Sequence, residues 1–112
     1  VRCAAGRRVL PGDHMVVGSL SVDLLLGDVH SLKEKRSVVR PIVAELRRRF
    51  AVSAAETGHL ELHRRAELGV AVATSDLAHC RDVLDACERL VAGRPEVELL
   101  SARQRLWADE DM

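Results

Sequence analysis

Val16–Arg36, "VVGSLSVDLLLGDVHSLKEKR", carries two hydrophobic periods in succession, and the change between them decides the fold. In its first half Leu20, Val22, Leu24 and Leu26 alternate with Ser19, Ser21 and Asp23, the period of two that marks a strand with one buried face. Gly27-Asp28 ends that pattern. Ser31-Leu32-Lys33-Glu34 then has the form of a capping box, with Ser as N-cap and Glu at the third helical position, each satisfying a free backbone N–H. Beyond it Leu32, Val39, Ile42, Val43, Leu46 and Phe50 recur at helical spacing. Pro41 lies inside this run and predicts a kink or short break near Arg40, because it lacks an N–H and crowds the preceding turn.

Further along, Ala51 to Glu56 reads as a short strand and Gly58 to Arg65 as a polar connection. Glu67 to Thr74, "ELGVAVAT", is a clear strand. Asp76 is placed to cap a second helix reaching about Val91, with Leu77, Cys80, Leu84, Cys87 and Val91 on its buried face. Gly93-Arg94-Pro95 stops that helix, and Val97 to about Trp107 forms a last strand. The order is β-α-β-β-α-β. Two right-handed β-α-β units joined by a hairpin give an α+β ferredoxin-like sandwich, a four-stranded antiparallel sheet with both helices on one face. An α+β fold with a different strand order is the alternative.

The domain is expected over residues 15–107, behind an N-terminal extension of residues 1–14 and ahead of an acidic tail, residues 108–112. Pro11-Gly12 is a linker signal, and Met15 is a candidate start. A chain of 112 residues holds one core, and its 47% apolar and 30% charged residues suit a globular protein. No apolar run reaches the roughly 20 residues that cross a bilayer. The first residues lack the apolar stretch of a secretory signal, and three cysteines without a C-x-x-C pair point to a reducing compartment, so the expected location is cytoplasmic.

Net charge is zero but unevenly spread. Ser31–Arg65 holds nine Lys or Arg against four Glu, whereas residues 66–112 hold five Arg against ten Asp or Glu. Such a chain can attract an anionic partner to one side or pair with a copy of itself, unless the fold interleaves the halves. On a helical wheel at about 100° per residue, Lys33, Arg36, Arg40 and Arg47 fall within some 60° beside the apolar sector. They are the candidate anion or RNA contacts, with Arg64 and Arg65 as additions. Solvation and the negative helix C-terminus are the competing explanation, above all for Arg47, Arg48 and Arg49. Lys35 lies near the apolar sector and calls for a snorkelling stem or a specific ion pair.

The face of the sheet away from the helices should present Ser19, Ser21, Gly69, Ala71 and Ala73. Its centre has none of the aromatic side chains on which single-stranded RNA stacks, which excludes RRM-type recognition there. Small residues allow close approach, so these five are the candidate dimer face of a back-to-back homodimer. His59 and His63 sit in a connection rather than on a helix and have no evident third ligand, so no metal site is expected. Cys80 and Cys87 belong to a packing stripe, too far apart for a disulfide. No P-loop, G-x-G-x-x-G or G-x-S-x-G occurs, and no catalytic residue or cofactor is expected. An enzyme would need a pocket holding His30 or Asp23 beside a second titratable group.

"VDLLLGDVHSLKEKR" (Val22–Arg36), "GVAVATSD" (Gly69–Asp76) and "VLDACERL" (Val83–Leu90) together resemble the YlxP-like family of small bacterial proteins, a domain of unknown function. The likeness runs from about Met15 to Leu106, and its H-S-L-K-E-K-R run is specific; residues 57–65 diverge, and residues 1–14 have no counterpart. The resemblance implies a ferredoxin-like fold. Family genes often neighbour those for translation initiation and ribosome-binding factors, which implies a role with ribosomal particles or structured RNA. It implies no catalytic residues. The expected function is therefore that of a non-enzymatic accessory protein, a homodimer contacting structured RNA or a ribosomal particle. A dimeric regulatory module for a small anionic metabolite is the alternative. Nothing points to DNA or a membrane.

Overall fold

In the computed structural model, which describes residues 14–108, strand gives way to helix where the hydrophobic period changes. β1 spans Val16–Leu26 and α1 spans Leu32–Phe50. Most of the expected extension and tail lies outside the described residues. Along β1 buried and half-buried residues alternate without a break. Leu20, Val22, Leu24 and Leu26 are wholly buried, and each such side chain contributes about 1.5–3 kcal/mol by leaving water.

Ser31 caps α1 by accepting the Glu34 N–H at 3.1 Å. The return bond of the box comes one residue early: the His30 N–H, not that of Ser31, donates to Glu34 Oε2 at 3.4 Å. The break expected near Arg40 does not occur, and α1 continues through Pro41 to Phe50. Pro41 and Ser37, whose carbonyl loses its intrahelical donor, are both exposed, so that carbonyl is not buried without a partner.

β2 (Ser53–Gly58) begins two residues later than the sequence suggested. Ala51 ends α1 in the left-handed conformation, φ 52°, and cannot start a strand. β3 covers Arg65–Thr74, two residues earlier than the apolar pattern, because Arg65 pairs with Leu25 of β1. α2 (Leu77–Ala92) is capped by Asp76, which accepts the His79 N–H at 3.2 Å. Cys80, Leu84, Cys87 and Val91 are buried as expected, whereas Leu77 is 42% exposed in the first turn. β4 spans Val97–Trp107.

The strand order is β2-β3-β1-β4 with every neighbouring pair antiparallel, the ferredoxin-like arrangement. Residues from both helices and from the inward face of the sheet form one core cluster. Gly18 lets α2 approach: a Cβ there would strike Cys80 Sγ and lie 2.9 Å from Leu84 Cδ1. The open face carries Ser19, Ser21, Gly69, Ala71 and Ala73 together, as their registers require.

β4 departs from simple alternation. Leu24 pairs with Leu99 but Asp23 with Ser101, so Leu100 is an extra residue in a β-bulge. Before the bulge Val97 and Leu99 face the core; after it Leu106 does, and Gln104 donates to Asp85 of α2 at 2.7 Å. Arg103, Arg105 and Trp107 consequently fall on the open face, beside Ser21, Ser19 and Val17. The centre of that face lacks aromatics, as expected, and its aromatic residue sits at the β4 rim.

Candidate anion-binding groove

α1 buries Val39, Ile42, Val43 and Leu46 against the sheet, which sets its neighbouring flank over β2. A groove of about 510 Å3 lies along this junction. Val39, Val43, Ala44 and Ala55 give it apolar walls, and Arg36, Arg40 and Arg47 supply its cations. Arg36 and Arg40 stand one turn apart, a rise of about 6 Å. Both are exposed and, among the described residues, neither pairs with an acid. Among the described residues the one acid lining the groove is Glu56, already engaged by Lys35, whose Nζ lies 2.6 Å from Glu56 Oε2.

Lys35 is only 2% exposed, and its Nζ also donates to the His59 carbonyl at 2.7 Å. This is the specific ion pair the wheel position called for. The contact with Glu56 is an attraction of charges more than a well-aligned hydrogen bond. Its effect on the groove is to leave Arg36 and Arg40, among the described residues, with no free carboxylate lining it.

Arg47 behaves differently from its neighbours. Its Nε and Nη2 donate to the Ala54 carbonyl at 3.0 and 2.6 Å, so it fastens β2 to the helix end while lining the groove. Arg48 and Arg49 instead approach Glu45 at 4.0 and 3.4 Å, and Arg94 also pairs with Glu45. The helix terminus thus accounts for the triplet only in part.

The remaining sequence candidates are dispersed. Lys33 is exposed but does not line the groove. Arg64 donates through Nε to the carbonyls of Leu26 and Gly27 at 3.2 and 2.9 Å, closing the end of β1. Arg65 pairs with Asp23 at 2.5 Å, and His59 Nε2 lies 3.3 Å from the other Asp23 oxygen. Asp23 and Glu67 do share a hollow of about 300 Å3 with Arg103. Asp23 is held there by Arg65, and Glu67 accepts the Thr57 hydroxyl at 2.9 Å. His30 lies apart, paired with Asp28 at 2.7 Å on the surface.

Among the described residues, no three His, Cys, Asp or Glu side chains converge on a metal-sized site. Cys80 and Cys87 are buried free thiols; desolvation raises both, Cys87 to about 11. Among the described residues, no helix is long and apolar enough to cross a membrane.

Fold and groove define a ferredoxin-like α+β domain with a cationic flank on its first helix. The profile of a family described as "Protein of unknown function (DUF503)" matches residues 17–104, and the chain belongs to that family. It is also similar to "Uncharacterized protein YlxP" of Bacillus subtilis (strain 168), 28% identical over 83 residues that cover 74% of this chain and 90% of that protein.

Proposed function

We propose that this chain is a cytoplasmic, non-enzymatic accessory protein that grips the phosphate backbone of structured RNA, in the setting of a ribosomal particle, through the α1 groove. The observation that carries the reading is the pairing pattern: among the described residues Arg36 and Arg40 are exposed and unpaired, and the adjacent Glu56 is paired with Lys35. Two or three cations in a row match a run of backbone phosphates better than one base or one sugar. Each phosphate neutralised releases counterions, so binding should weaken steeply with salt.

The test is co-sedimentation with ribosomal particles, and gel-shift titration of a structured RNA, across a salt series. Arg36→Ala with Arg40→Ala should abolish co-sedimentation and flatten the log–log salt slope of the RNA titration by about 2, one for each phosphate no longer neutralised. The thermal melt should stay within a degree or two of wild type. Binding unchanged by the double variant would overturn the reading.

The apolar walls, Val39 and Val43, favour one second reading, a small anionic metabolite, since a groove of about 510 Å3 can hold one. A metabolite-dependent rise in melting temperature without RNA binding would select it.

A further inference from the structure

The open face of the sheet is electrostatically balanced but divided. It carries Asp23, Glu67 and Glu98 against Arg65, Arg103 and Arg105, by the register of each strand with β1. Asp23 and Arg65 pair with each other within the chain through Arg65 Nη2 and Asp23 Oδ2, while Asp23 Oδ1 and Arg65 Nε are buried without a hydrogen-bond partner. That leaves Arg103 and Arg105 on the β4 edge, exposed and unpaired among the described residues, and Glu67 and Glu98 one or more levels away. Across the sheet from those arginines, over β2, β3 and β1, lies a depression of about 340 Å3. Its floor is Ser21, Ala55, Gly69 and Ala71, and Glu67 stands at its rim.

We infer that a second copy of this chain closes this face, seating its Arg103 and Arg105 in the depression beside Glu67 of the first. A two-fold axis parallel to the strands, between β1 and β3, lays β4 of each copy over β2 of the other. Every residue keeps its level in such a rotation. Arg103 shares a level with Ser21, Gly69 and Ala55, so it descends on Ala55 and Gly69, one level from Glu67. Arg105 shares a level with Ser19, Ala71 and Ser53. Side chains this small leave room for a long guanidinium stem between two sheets that pack about 10 Å apart. The contact is isologous, so each copy supplies both the cations and the cavity.

The footprint is sufficient. Four strands about 4.8 Å apart and some 30 Å long cover about 550 Å2 per copy, or about 1,100 Å2 in total, which clears the roughly 1,000 Å2 of a specific interface. Zero net charge on the chain leaves no overall repulsion to overcome. A nucleic-acid strand suits the face less well, because Glu67 and Glu98 lie on it and its centre has no stacking platform.

Sedimentation velocity on the full chain, without RNA, tests the inference. Wild type should be dimeric at micromolar concentration. Arg103→Glu faces Glu67, and Glu67→Arg faces Arg103, so each variant alone should dissociate, its dimer constant weakened by about a hundredfold or more. Mixed in equal amounts they should form a dimer again, since both contacts are then between opposite charges. Arg105→Glu provides a second disruption that leaves the Glu67–Thr57 bond untouched. Wild type monomeric at about 100 μM would overturn the inference, as would a dimer indifferent to Arg103→Glu and Arg105→Glu. RNA binding abolished in Arg103→Glu while wild type stays monomeric would give the face to nucleic acid instead. None of these outcomes bears on Arg36 and Arg40, whose test is separate.

Discussion

Replacing Lys35 separates what its stem contributes from what its charge contributes. The side chain is 2% exposed, and its ammonium reaches Glu56 at 2.6 Å and the His59 carbonyl at 2.7 Å. Lys35→Ala removes three buried methylenes, about 2.4 kcal/mol at ~0.8 each, and a charged hydrogen bond of about 1.5 kcal/mol or more. Glu56 is 22% exposed and regains water on that side, so the low end of the hydrogen-bond range applies and the total is about 4 kcal/mol. Lys35→Met keeps nearly all of the stem and removes the ammonium, with relief of its desolvation, so it should cost only about 1–1.5 kcal/mol. Urea unfolding followed by the fluorescence of Trp107, at one fixed protein concentration, gives both values. In a domain of this size the Ala variant should melt at least ~12 °C below wild type. If Ala and Met unfold at the same urea concentration, the stem is not packed as described. If Ala falls within about 0.5 kcal/mol of wild type, Lys35 does not hold the 59–64 connection at all.

Two further perturbations probe the α2 interface. Gly18→Ala drives a methyl into Cys80 and Leu84 and should destabilise by about 1–3 kcal/mol, read as a lowered urea midpoint at unchanged slope; adding Cys80→Ala should recover most of it. Burial lifts Cys87 to about 11 and raises Cys80 from 9.0, so the folded chain holds these protons more tightly than the unfolded one. The Cys87 contribution is complete below about pH 9 and disappears as pH climbs towards 11, and that of Cys80 is likewise lost as pH rises above 9. The urea midpoint should fall across that window, and less in Cys80→Ala with Cys87→Ala than in wild type.

Features set by neighbours in the chain were legible. Alternation placed Leu20, Val22, Leu24 and Leu26 inward, and Ser31 and Asp76 announced both helix starts. What escaped depends on atoms far away in sequence or on a shift of register. Leu77 fits the helical stripe, but α2 meets the sheet only from Cys80 onward. Nothing local reveals that Arg47 binds the Ala54 carbonyl, or that Lys35 is matched by Glu56 rather than by Glu34. Most consequential is the extra residue at Leu100. Alternation carried through from Val97 and Leu99 would turn Arg103 and Arg105 towards the core, and the bulge reverses them.

Arg47 shows why the charged flank of α1 should not be treated as one unit. By wheel position it matches Arg36 and Arg40, and it lines the same groove. Yet two of its donors are committed to the carbonyl of Ala54, a buried residue of β2, and that carbonyl has no other side-chain donor among those described. Removing Arg47 would loosen β2 where it forms the groove wall, so weaker binding would follow whether or not Arg47 touches a phosphate. Among the described residues Arg36 and Arg40 carry no such structural bond, so their removal should alter charge while sparing the fold. An Arg47→Ala variant that bound RNA poorly and melted early would report on β2. The claim that α1 reads a phosphate backbone therefore stands or falls on Arg36 and Arg40.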